Sequence, residues 1–191
     1  ELLHLYDAQL RSRGAGVTIA VIDTGIDRAD PDFALNLWKD TRQNGEVALD
    51  GIDEDHDGFV DDLFGWDFVD DDNDPTETGS DPAISVAGHG SFIAGLLRLI
   101  APDARILPIR AFTPDGTSSS FTVAAAIKYA ADHGARVINL SFGSPKKSTI
   151  VRDAIRYARQ KGSVLIAAMG NDGTDILKQY PANLHDVIGV A

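Results

Sequence analysis

The 191-residue sequence has no cysteine. That excludes disulfides, thiol nucleophiles and Cys-ligated zinc. No apolar run approaches the ~18 residues of a membrane span, so a membrane is not an expected partner. Basic residues are few: 17 Lys and Arg stand against 29 Asp and Glu, a formal net charge of -12. A generic nucleic-acid binder carries the opposite sign, so nucleic acid is not an expected partner either. What is present argues for a packed core. Hydrophobic residues make up 43% of the chain, and the length suits one domain or one domain plus part of another.

The negative charge is local. Between Asp50 and Asp81 lie 14 of the 29 acidic residues and no Lys or Arg. Carboxylates at that density repel one another unless solvent or cations compensate them.

Residues 2–12 have the pattern of a short amphipathic helix. The apolar, β-branched run Val17–Asp23 predicts a buried strand entering a turn at Thr24-Gly25. Residues 27–82 are loop-rich and acidic. Ser85–Ile100 carries apolar residues at helical spacing (Phe92, Ile93, Leu96, Leu97 and Ile100). Strands are expected at 106–112, 137–142, 164–168 and 187–191, and helices at 120–133 and 148–161. This alternation predicts an α/β fold: a doubly wound, mainly parallel sheet with helices on both faces. In such sheets the site lies beyond the carboxyl ends of the strands. That rule selects Asp23, Ser141–Gly143 and Gly170-Asn171.

Asp23 ends a strand and precedes Thr-Gly. An aspartic protease would need two such carboxylates on all-β lobes, and this chain has one on an α/β pattern. His89 stands between Gly88 and Gly90 at the first turn of an apolar helix, and glycines there permit close backbone approach. Asn171 follows a buried strand. It is either a turn residue or an amide donor aimed at a developing oxyanion. The sequon Asn139-Leu140-Ser141 falls on a buried strand, which argues against glycosylation.

Together these segments resemble the subtilisin family of serine proteases over residues 4–191. Val21-Ile22-Asp23-Thr24-Gly25-Ile26-Asp27 is similar to its aspartate motif. Gly88-His89-Gly90-Ser91-Phe92-Ile93-Ala94-Gly95 is similar to its histidine motif. Val137–Gly143 resembles the substrate-binding strand, and Ala168–Gly173 the oxyanion segment. The resemblance implies that His89 acts as general base and then acid. It implies that Asp23 fixes the ring's tautomer and Asn171 donates to the oxyanion. Gly116, Ser118, Ser141, Phe142, Gly143, Ala168, Met169 and Gly170 would line the cleft, receiving a peptide or protein substrate as an added strand.

The sequence departs from the family pattern in places. Ser91-Phe92 replaces the usual Thr-His, and Phe92 is expected to pack in the core. Met169 replaces a usual alanine and would narrow the pocket beside it. Asp30 stands where the family usually has His. The larger departure is the nucleophile, since nothing after Asn171 is a serine. Gly116-Thr117-Ser118 falls before the oxyanion segment and lacks the family's context, and Ser91 lies on the histidine's own helix. Residues 1–191 are therefore expected to be the N-terminal part of a single subtilisin-like catalytic domain, incomplete at the C-terminus. A C-terminal segment carrying the serine would be the missing partner.

Within the acidic insertion at 50–81, Asp53-x-Asp55-x-Asp57-Gly58-Phe59 has the alternating carboxylates and position-six glycine of a calcium loop. The expected Ca²⁺ ligands are Asp53, Asp55, Asp57 and the Phe59 carbonyl. Phe64 stands where a closing Glu would be, so Asp61 or Asp62 is expected to complete the shell. Asp70–Asp74 is a second, weaker candidate. Calcium and the absence of cysteine suit a secreted or cell-envelope protein. The alternatives are a pseudoprotease or peptide-binding module, and a calcium-stabilised structural domain.

Overall fold

The computed structural model describes residues 4–41, 45, 48–79, 86, 88–171 and 179–191. Six strands form one parallel sheet: β1 (Thr18–Asp23), β2 (Trp66–Asp67), β3 (Arg105–Arg110), β4 (Val137–Leu140), β5 (Val164–Ala168) and β6 (Val187–Val190). Their spatial order is β2-β3-β1-β4-β5-β6, so the chain leaves β1 first to one side and then to the other. Asp23 pairs in register with Arg110, and the switch point lies just beyond these two residues.

Four helices accompany the sheet: α1 (Leu5–Arg11), α2 (His89–Ile100), α3 (Ser120–Asp132) and α4 (Thr149–Gln160). Alternation along the strands divides two cores. Val21 and Ile106 pack with Ile26, Phe33 and Ala94 under α2. Ala20, Ile22, Leu107, Ile109, Ile138 and Leu140 face the other way, with Ile127 of α3 and Ile155 of α4. Ser119 and Ser148 cap α3 and α4 by accepting the N–H of Thr122 and Val151. Helices thus cover both faces, as the alternation of elements predicts.

Two differences from the sequence reading have physical causes. The two-residue β2 lies in the acidic stretch read as loop; Phe59 and Phe68 flank Trp66, with Phe59–Trp66 ring centroids at 5.0 Å. The apolar stripe of α2 is split. Ile93, Ala94 and Leu97 face β1, whereas Phe92, Leu96 and Leu99 point outward. Phe92 is 63% exposed, so it is not a core residue. The start expected for this helix at Ser85 lies outside the described residues. No helix among the described residues is long and apolar enough to cross a membrane.

Candidate active site

The end of β1 places the Asp23 carboxylate in the protein interior, at 4% exposure. Its Oδ1 accepts from the backbone N–H of Thr24 (2.8 Å) and lies 2.8 Å from His89 Nδ1. Oδ2 is buried without a hydrogen-bond partner among the described residues. His89 opens α2 and keeps its ring half-exposed. Both flanking glycines are required, for different reasons. Gly88 has φ 82°, a left-handed conformation costly for other residues. At Gly90 any side chain would run into the Gly25 carbonyl, so α2 can approach the Asp-Thr-Gly turn only with glycine there.

The hydrogen bond to Asp23 raises the His89 pKa. Burial opposes this, and the charges of Asp23 and Glu77 reinforce it. The Nδ1–H donates to a carboxylate, which leaves Nε2 to take a proton from a hydroxyl placed against it. The pair is an oriented, strengthened general base.

Glu77 escaped the sequence reading because nothing local marks it. Its carboxylate accepts from the N–H of Gly90 (3.3 Å) and Ser91 (3.2 Å), from Ser91 Oγ (2.6 Å) and from Thr24 Oγ1. It therefore clamps the first turn of α2 onto the end of β1. Ser91 is fully committed, since its Oγ also accepts from the N–H of Asp27 (2.9 Å).

Two cavities flank the pair. One of about 110 Å³ is lined by Asp23, Thr24, His89, Phe112, Gly116 and Ser141, among others. A groove of about 550 Å³ runs beside it, lined by Gly116, Ser118, Phe142, Gly143, Val151 and Tyr180 among others. The Phe112 and Phe142 rings, 4.7 Å apart, form the wall between them. The structure therefore brings Gly116, Ser118, Ser141, Phe142 and Gly143 to the cleft.

Ala168, Met169 and Gly170 line neither cavity. Met169 instead packs across β6 against Gly189, where a Cβ would meet its Cγ and Sδ at 3.2 Å, and does not narrow the cleft as expected. The side chain that lies against both Gly143 and Gly170 is Gln179, which the sequence reading did not single out. A Cβ on Gly143 would meet it at 3.0 Å and one on Gly170 at 3.2 Å. The backbone bonds between Ser144 and Tyr180 hold it there. Asn171 is exposed beyond β5, two strands from β1 or about 10 Å of sheet. Asp172 and Gly173 lie outside the described residues.

The serines nearest the pair in sequence or cleft have hydroxyls turned to other partners or to backbone. Ser91 Oγ donates to Glu77, and Ser141 Oγ donates to Asn139 Oδ1 (2.8 Å). Ser118 Oγ contacts the Ser119 carbonyl at 3.5 Å.

In the acidic loop, Asp53, Asp55 and Asp57 offer carboxylate oxygens within 4.8 Å of one another. Backbone N–H groups of Asp57 and Gly58 fold the Asp53 carboxylate inward. Three hard oxygens on a loop with left-handed turns at His56 and Gly58 fit a calcium-type donor set. Phe59 anchors the loop, its ring 4.9 Å from that of Tyr129.

Asp61 and Asp62 do not complete this set, contrary to the sequence expectation. Asp61 accepts from the N–H of Asp50 and Gly51, closing the base of the loop. Asp62 is buried and turned to Tyr129 and His133. Asp70 and Asp74 pair with Arg110 and Arg28, and Asp72 accepts from the N–H of Asp74, so three of the four carboxylates of the second candidate are turned to other partners.

Residues 14–191 match the Subtilase family. The "Thermophilic serine proteinase" of Bacillus sp. (strain AK1) is 36% identical over 186 residues, covering 92% of this chain and 38% of that protein. Thermitase of Thermoactinomyces vulgaris is 34% identical over 190 residues, covering 94% and 56%. The solved structure titled "S41 Psychrophilic Protease" superposes with a TM-score of 0.68 at 28% identity, covering 93% of this chain and 53% of that one. The chain thus spans from about two-fifths to a little over half the length of these proteins. With its doubly wound sheet and the Asp23–His89 pair at its switch point, the chain belongs to the subtilase family.

Proposed function

We propose that this chain supplies the aspartate–histidine half of a serine endopeptidase of the subtilisin type. The observation that carries the reading is the 2.8 Å Asp23–His89 contact at the switch point, beside a cleft walled by Ser141–Gly143 and Gly116–Ser118. A serine hydroxyl attacks the peptide carbonyl while His89 Nε2 takes its proton. The Asn171 amide donates to the resulting oxyanion. The C–N bond then breaks and Nε2 returns the proton to the leaving amine. Water, deprotonated by the same nitrogen, cleaves the acyl ester.

The commitments of Ser91 and Ser141 and the setting of Ser118 support a nucleophile outside these 191 residues, carried by a C-terminal segment of the same catalytic domain. Substrate pairs as a strand with the cleft walls. Asp53, Asp55 and Asp57 hold Ca²⁺, which would supply the positive charge that the loop lacks. A secreted or cell-envelope location suits both calcium and the cysteine-free chain.

The test is labelling of the whole protein with a serine-directed phosphonate. Labelling of a serine outside residues 1–191, lost together with peptidase activity in His89→Ala, is the expected result. Modification of Ser91 or Ser118 would overturn the assignment. Peptide binding with neither label nor turnover would establish the non-catalytic binding module instead. In the active protein, Asn171→Ala should lower kcat with little change in KM. The ~10²–10³-fold size is that of subtilisin's own donor.

A further inference from the structure

A second constellation lies away from the cleft, at the far end of α3. Asp40, Asp62 and His133 come from three separate segments, and all are buried, Asp62 to 0% exposure. Each offers one ligand atom, and these atoms lie within 4.8 Å of one another. The imidazole is oriented from behind. Its Nδ1 lies 2.9 Å from the Tyr129 carbonyl, so Nδ1 carries the proton and Nε2 faces the carboxylates. Nε2 lies 2.8 Å from Asp62 Oδ2 and 3.3 Å from Asp57 Oδ2. The Tyr129 hydroxyl donates to Asp62 Oδ2 (2.6 Å), and its ring stacks on the imidazole at 3.8 Å. Asp40 is set by its N–H bond to the Leu63 carbonyl (2.9 Å), and a side chain at Gly45 would collide with its carboxylate.

A proton on Nε2 answers Asp62 Oδ2 but not Asp62 Oδ1. That oxygen is buried with no hydrogen-bond partner among the described residues. A buried carboxylate oxygen left so is costly. A cation reached by both the imidazole and the carboxylates removes that cost.

We propose that Asp40, Asp62 and His133, with Asp57 as fourth ligand, form a structural site for a zinc-class divalent metal ion. The donor set decides the class. One imidazole nitrogen with three carboxylates suits a borderline metal bound tetrahedrally at ~2.0–2.2 Å, whereas calcium takes six to eight oxygens. The His133–Tyr129 carbonyl and Asp62–Tyr129 hydroxyl bonds are the outer contacts that such ligands require. A cavity of about 200 Å³, lined by Asp57, Tyr129 and His133 among others, provides an entry path. The site is distinct from the cleft, since Ser119 and His133 stand at opposite ends of α3, ~20 Å apart. It also differs from the Asp53–Asp55–Asp57 set, sharing only Asp57, whose Oδ1 accepts from the Phe59 N–H while Oδ2 faces His133.

The test uses the whole protein, stripped with chelator and titrated with Zn²⁺ or Co²⁺ in excess Ca²⁺. The expected result is one tightly bound equivalent that Ca²⁺ does not displace. The Co²⁺ form should show the intense visible bands of tetrahedral coordination. X-ray absorption of the Zn²⁺ form should show one imidazole among oxygen ligands. Tyr129→Phe, which removes only an outer contact, should weaken Zn²⁺ binding ~10–100-fold. Asp53→Asn, which removes a calcium ligand but no zinc ligand, should leave it unchanged when Ca²⁺ is absent. Absence of a stoichiometric equivalent, an octahedral Co²⁺ spectrum, or a zinc shell without imidazole would each overturn the site. Any of these would leave the cluster as a buried ion pair.

Discussion

Glu77→Gln is a near-isosteric change that separates the clamp on α2 from everything else near His89. The Glu77 carboxylate meets four donors: two hydroxyls, from Thr24 and Ser91, and the backbone N–H groups of Gly90 and Ser91. Hydroxyls can rotate to accept, but the N–H groups cannot. An amide has one acceptor oxygen, so its NH₂ must face Gly90 N–H or Ser91 N–H. The amide settles with its NH₂ toward Gly90, whose N–H keeps Thr24 Oγ1 as acceptor at 3.1 Å, so one hydrogen bond is lost at ~0.5–1.5 kcal/mol. Loss of negative charge at a helix N-terminus adds ~0.3–1 kcal/mol. The middle of the summed range, ~1.5 kcal/mol, corresponds to a fall in Tm of roughly 3–6 °C for a domain of this size.

The same change acts on His89, whose pKa is raised first by the Asp23 bond and also by the Glu77 charge. Removing the charge lowers that pKa, so neutral imidazole persists to lower pH. The acidic limb of kcat/KM should move down. The stability linkage has the matching sign. The raised pKa stabilises the fold fully below ~6.5, and this contribution is lost as pH rises through the folded value. In the variant it shrinks. Thermal melts and a pH profile of kcat/KM on the whole protein check both effects. An unchanged Tm together with an unchanged limb would refute the clamp.

Arg110→Met should destabilise by ~3–5 kcal/mol at neutral pH, because it leaves Asp67, 1% exposed, without its cation. Burial already raises the Asp67 pKa against the pull of Arg110, so the deficit should shrink as pH falls and Asp67 takes a proton; urea midpoints across pH would show this, and a pH-independent deficit would contradict it. Gln179→Gly should open the space between Gly143 and Gly170, raising kcat/KM for bulky residues before the scissile bond relative to small ones. An unchanged preference would place that pocket elsewhere. Withdrawing Ca²⁺ at constant Zn²⁺ should lower Tm in the wild type and much less in Asp53→Asn, since binding to the native state adds about 2.7 kcal/mol at a hundredfold excess over Kd. Equal melts with and without Ca²⁺ would remove the loop site.

The strand–helix alternation and the positions of Asp23 and His89 were legible in the sequence, because each rests on a local pattern. A β-branched run ends at Asp23, and two glycines bracket His89. What was not legible depends on partners far along the chain. Glu77 lies 14 residues from Ser91 and 53 from Thr24, with no motif around it. Gln179 matters only because the Ser144–Tyr180 pairing folds it over Gly143 and Gly170. Helical spacing does not say which side of α2 meets the sheet, so Phe92 was assigned to a core that ends at Ala94 and Leu97.

The acidic segment shows how charge density alone misleads. Read as a string, Asp50–Asp81 has no internal cation and invites several metal ions. In three dimensions much of that charge meets fixed partners. Asp67 and Asp70 share Arg110, Asp74 meets Arg28, Asp61 is held by backbone donors, and Glu77 sits on the start of α2. Among the described residues, two clusters also bring potential ligand atoms together. Asp53, Asp55 and Asp57 face one another on a loop with oxygen donors only, which selects a hard ion. Asp40 and Asp62 face an imidazole in the interior, where hydration cannot compensate them. Asp57 touches both clusters. Filling the inner one should therefore fix an outer ligand in place, and calcium affinity should rise when zinc is bound and fall in Tyr129→Phe.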